Sequence, residues 1–102
     1  MDQIAAYAVA RGQGFMVNEF TDSPQYFGSW RMTVEFGQTL YQLVSDGRES
    51  CLEIQKHDGK EWETMRYTTI HALSREQELQ ICSEWLAQER SLMGARSPEH
   101  GA

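Results

Sequence analysis

Residues 30 to 67 alternate apolar with polar side chains and are cut by two Asp-Gly pairs, Asp46-Gly47 and Asp58-Gly59. Successive side chains of a strand point to opposite faces, so a period of two marks strands with one face in a core and the other in water. Asp-Gly takes the positive φ angles of tight hairpin turns at little cost, and the two pairs predict where the chain reverses. Together these features confine the middle of the chain to an antiparallel meander. Trp30, Met32, Val34 and Phe36 share one face and oppose Arg31, Thr33 and Glu35. After a Gly37-Gln38 turn comes a strand at 39–45. In 49–56, Leu52 and Ile54 oppose Cys51, Glu53 and Gln55; in 60–67, Trp62 and Thr64 oppose Glu61, Glu63 and Met65. The expected core therefore includes Trp30, Met32, Val34, Leu52, Ile54 and Trp62.

Helical patterns flank the meander. Asp2 is placed to cap a short helix whose apolar stripe is Ile4, Ala5, Ala8 and Val9, and Gly12 and Gly14 end it. Residues 15–20 form a short strand candidate, and 21–29 read as a loop from their Asp, Ser, Pro and Gly content. Ser74 and Gln77 make a capping box ahead of a helix with Leu79, Ile81, Cys82, Trp85, Leu86 and Met93 on a wide apolar stripe. Such a helix needs a sheet to lie on. The expected fold is α+β: a single antiparallel meander sheet of four to five strands, covered on one face by an N-terminal and a C-terminal helix. A chain of 102 residues suits one domain, placed at 1–93, followed by a flexible polar tail at 94–102.

Charge narrows the classes of function. Fifteen acids against nine bases leave a net charge of -6, which disfavours a nucleic-acid ligand, since phosphate backbones need clustered Lys and Arg. No apolar run approaches the roughly 20 residues of a membrane-spanning helix. Met1-Asp2-Gln3 lacks the basic start and apolar run of a secretory signal, so the expected location is cytoplasmic. Cys51 and Cys82 read as structural thiols. His57, His71 and His100 fall at spacings that assemble no metal site, and neither a metal nor another cofactor is expected. Glu61 and Glu63, two apart on a strand, are expected to share a face, standing in a row on an open surface rather than across a cleft as paired catalytic carboxylates do. No catalytic group emerges, and the chain reads as a non-enzyme with an acid-rich exposed sheet face.

Phe27-Gly28-Ser29, the strand residue Glu35, the turn Asp46-Gly47-Arg48 and the pair Glu61-Trp62 carry a resemblance. In these pieces the chain resembles the small immunity proteins of bacterial polymorphic toxin systems, although its turn runs Asp-Gly-Arg where those proteins carry Asp-Arg-Gly. The resemblance implies a stoichiometric inhibitor that binds a cognate toxin. Charge points the same way: a basic toxin domain is the expected partner, and Glu35, Asp46, Glu53, Asp58, Glu61 and Glu63 are the expected contact residues. Two other classes stand beside it. One is a small adaptor or secretion chaperone with an exposed apolar groove or sheet edge. The other is a small-ligand binder with a pocket holding Cys51, His71 or Tyr67.

Overall fold

The computed structural model describes residues 1–23, Gln25 and 27–101, with side chains described as far as Met93. The elements run α1 (Gln3–Gly12), β1 (Met16–Ser23), β2 (Ser29–Phe36), β3 (Thr39–Asp46), β4 (Cys51–His57), β5 (Trp62–Thr69) and α2 (Arg75–Gly101). The five strands form one antiparallel sheet in the order β1-β2-β3-β4-β5, a meander with both helices on one face. This is the α+β architecture that the alternation predicts. Of the tail expected at 94–102, the backbone of residues 94–101 continues α2, and Ala102 lies outside the described residues.

Register places the core. Met32 pairs with Leu43, and Leu43 with Ile54, so these three share the helix-facing side, each with 0% exposure. Trp30, Val34, Tyr41 and Leu52 join them from β2, β3 and β4. Ala6 and Ala10 of α1 and Leu79, Cys82 and Leu86 of α2 close over this surface. Each large aliphatic or aromatic side chain so buried contributes about 1.5–3 kcal/mol.

Trp62 departs from the expected core. The pairing shifts by one between Ile54↔Arg66 and Gln55↔Thr64, leaving Met65 as an extra residue in β5. An extra residue inverts the alternation beyond it. Trp62 pairs with His57 and lies on the face away from the helices, 36% exposed. By the same inversion Glu63 pairs with Lys56, which shares the helix-facing side with Tyr41. Glu61 precedes β5 altogether, so Glu61 and Glu63 do not stand in a row on one face.

The first helix is also rotated from the expected stripe. Its buried residues are Ala6 and Ala10, with Ala5 and Val9 at the core margin, whereas Ile4 is 81% exposed. Residues 4–10 are apolar throughout, so periodicity selects no face; the two alanines allow the closest approach to the sheet.

Both Asp-Gly hairpins have four residues between their strands rather than two. The Asp46 carboxylate accepts from the Arg48 and Glu49 amides at 3.0 and 3.1 Å, and Ser50, not Gly47, takes the positive φ of 51°. Gly47 is needed for another reason: a Cβ there would lie 1.8 Å from the Phe27 carbonyl oxygen. In the second hairpin Asp58 accepts from the Lys60 and Glu61 amides at 2.8 and 2.9 Å, and Gly59 adopts a φ of 100°.

Candidate functional site

The side of the sheet away from the helices has no covering layer among the described residues, and pairing identifies what stands on it. Glu19 opposes Thr33, and Arg31 opposes Val44, which opposes Glu53, which in turn opposes Tyr67. The neighbouring row runs from Glu35 through Leu40, and the row at the hairpin end joins Asp46, Cys51 and Thr69. Among the described strand residues of this face, Glu19, Glu35, Asp46 and Glu53 stand against the one guanidinium of Arg31. Glu19 and Arg31 meet each other at 3.3 Å with both side chains about half-exposed, so that pair contributes little to stability.

The remaining carboxylates are held by neutral groups. Glu35 accepts from Asn18 at 3.2 Å; Asn18 is the extra residue in the β1–β2 pairing. Gln42 donates to Gln55 at 2.7 Å, and Gln55 donates on to Glu53, so a side-chain chain crosses from β3 to β4. Neutral donors orient these acids without cancelling their charge. At one end of the face Thr21, Ser29, Arg31, Val44 and Asp46 border a hollow of about 320 Å³. At the other side, along β5, stand two large aromatics: Tyr67 is 59% exposed, and Trp62 makes an edge contact with His57 at 5.0 Å between ring centres.

Of the six acids that the sequence marks as contacts, the sheet brings Glu35, Asp46 and Glu53 onto this face. Asp58 and Glu61 sit in the β4–β5 hairpin, and Glu63 lies on the opposite side of β5. Hydrogen bonds from the Glu61 and Lys60 amides hold the Asp58 carboxyl below its usual value, so this acid has a turn-forming job.

Cys51 is half-buried on the same face. Burial first, then the charges of Asp46 and Glu53, push its thiol pKa up. Burial, followed by Glu78, pushes the Cys82 thiol up much further. Neither environment favours a thiolate nucleophile. His71 borders a cleft of about 260 Å³ with Ser50, Arg75 and Glu78; Cys51 and Tyr67 do not line that cleft and are instead hydrogen-bonded to each other on the outer face of the sheet. Among the described residues no group of three His, Cys, Asp or Glu comes together to hold a metal ion.

Two acids that the sequence reading passed over are buried. Glu78 accepts from Ser45 at 2.8 Å, from Trp30 Nε1 at 3.3 Å and from Arg75 at 2.9 Å. Three helical turns on, Glu89 accepts from the Tyr41 hydroxyl at 3.2 Å and from Arg66 at 3.1 Å. Their spacing from Cys82 and Leu86 puts both on the stripe that meets the sheet, a signal present in the sequence. Each carboxylate meets strand donors, so the pair fastens α2 across β2, β3 and β5. Their role is architectural.

Compared with known proteins, the chain matches no family of sequences, no curated protein and no solved structure.

Proposed function

We propose that this protein is a stoichiometric binding protein that docks a basic protein partner on the uncovered face of its sheet, as an immunity-type inhibitor docks a toxin domain. The observation that carries the reading is the composition of that face. Glu35 and Glu53 lie within an uncovered sheet that also presents Tyr67 and Trp62 at its margin. Exposed aromatics supply large contact area at small entropic cost, and Trp, Tyr and Arg are the residue types on which binding energy concentrates. Carboxylates in excess over cations accelerate encounter with a basic surface and select against acidic ones. The reading of a binding protein rather than an enzyme draws further support from the thiols, whose surroundings disfavour the thiolate.

A second reading is favoured by a different feature. β5 is an edge strand that carries Trp62, Met65 and Tyr67, all exposed, which suits an adaptor accepting a partner strand along that edge. The bulge at Met65 interrupts such pairing, so the face is preferred over the edge.

The test is association with the product of the neighbouring gene. Docking on the face predicts that Glu35→Gln with Glu53→Gln slows association and flattens its salt dependence, while Tyr67→Ala speeds dissociation. New amide-exchange protection confined to β5 would favour the adaptor. Unchanged kinetics in both variants, with the fold intact, would sink the proposal.

A further inference from the structure

The exterior of α1 is apolar where a lone helix on a small domain is usually polar. Ile4, Tyr7, Ala8 and Arg11 fall at helical spacing on one stripe, and Ile4 is 81% exposed, more than any other large apolar side chain described. With Asp2 and Gln3 they border a hollow of about 610 Å³ whose lining is mainly apolar. The other side of the same helix is already spent on the core through Ala6 and Ala10. A helix apolar on both sides is characteristic of one covered on both sides.

Charge says what covers it. The stripe is bounded by an acid at its N-terminal end, Asp2, and a base at its C-terminal end, Arg11, and both border the same hollow. Among the described residues Arg11 makes no ion pair; its guanidinium rests over the Tyr7 ring at 5.3 Å. A second copy of the same helix laid antiparallel sets the Asp2 end of each beside the Arg11 end of the other, twice over, and opposes the two helix dipoles favourably. The small Ala8 near the middle lets the axes approach at the short end of the usual 8–10 Å range. We propose that α1 is a two-fold contact between two copies of this chain, antiparallel along Ile4, Tyr7 and Ala8 and closed at each end by Asp2 and Arg11. This surface lies on the helix side of the molecule, away from the uncovered sheet face, so a dimer leaves that face free. A stripe about 15 Å long covers less than the roughly 800 Å² per partner of a standard interface, so the association is weak and concentration-dependent.

Sedimentation equilibrium of the full chain from about 10 to 500 µM is the test. Wild type is expected to shift toward dimer across that range, and Ile4→Ser, at an exposed position, to weaken association by at least about tenfold. Arg11→Glu alone and Asp2→Ser with Gln3→Lys alone, in which serine keeps the helix cap, are each expected to stay monomeric. Mixed in equal amounts they should form a heterodimer, because each supplies the charges that the other lacks. Far-UV circular dichroism checks that every variant is folded. A wild type that stays monomeric, a dimer indifferent to Ile4→Ser, or folded variants that fail to pair on mixing would each overturn the proposal.

Discussion

Removing the carboxylate of Glu78 tests whether α2 is held to the sheet by accepted hydrogen bonds or by charge. Trp30, Ser45 and Glu78 are at most 3% exposed, so in Glu78→Ala the indole N–H and the Ser45 hydroxyl lose an acceptor where water does not replace it. Each buried donor left unmatched costs about 1–3 kcal/mol. The Arg75 pair adds little, because that side chain is 44% exposed and screened. With two such donors the expected loss is about 2–6 kcal/mol, a large share of the stability of a domain this size. Glu78→Gln keeps an oxygen of the same reach for the Trp30 and Ser45 donors and gives up the charge and the acceptor facing the exposed Arg75, for about 1 kcal/mol. Urea unfolding followed by tryptophan fluorescence and circular dichroism measures both, with unchanged m-values securing the comparison. Equal losses in the two variants, or a loss below about 1 kcal/mol in Glu78→Ala, would refute the hydrogen-bonding account.

Gly47→Ala is expected to cost about 2 kcal/mol or more, since its Cβ would strike the Phe27 carbonyl, whereas Gly37→Ala, with open space at a φ of 64°, costs only the left-handed penalty of about 1–2 kcal/mol; thermal unfolding of the two variants checks the order. Asp58→Ala should destabilise the β4–β5 hairpin in a pH-dependent way. Because the folded carboxyl titrates below its usual value, its contribution is complete above the unfolded value of about 3.9 and is lost as pH falls through the depressed one, so wild type and variant converge in acid and differ at neutral pH. An equal difference at pH 2 and pH 7 would contradict this. Both thiols should alkylate more slowly than free cysteine at pH 8, Cys82 only after denaturant is added; mass spectrometry of the labelled chain distinguishes them.

The meander was legible because β2 and the first half of β4 alternate without interruption: Trp30, Met32, Val34, Leu52 and Ile54 all lie where period two puts them. Legibility ends at each bulge. Nothing in Glu61 to Tyr67 marks Met65 as the extra residue, and a single extra residue carries Trp62 to the outer face and Glu63 to the inner one. The first helix failed for the opposite reason, an excess of signal, since a run apolar from Ile4 to Ala10 has no polar side to identify what faces water. In the hairpins Gly59 takes the positive φ that Asp-Gly predicts, and Asp46 and Asp58 add their carboxylates to the turns, whereas Gly47 instead makes room for a carbonyl from another loop. That contact depends on tertiary approach, which local sequence does not encode.

The same distinction sorts the carboxylates, and it matters for the proposed function more than their number does. Net charge counts Glu78, Asp58 and Glu53 alike, yet the fold uses the first to receive core donors, the second to close a turn, and leaves the third on an uncovered surface, bonded by a neutral amide. Only carboxylates of the third kind keep an unbalanced field for a partner to meet. A field set by Glu35 and Glu53 is smaller and more localised than the total of -6 implies, and it lies beside Tyr67 and Cys51 rather than along the β4–β5 hairpin. Charge removed at Asp58 or Glu61 should therefore act on association only through long-range steering, which salt screens within about 10 Å at 0.1 M, whereas charge removed at Glu53 acts at the contact itself. The ratio of these two effects at moderate salt separates docking on the face from general attraction to an acidic molecule.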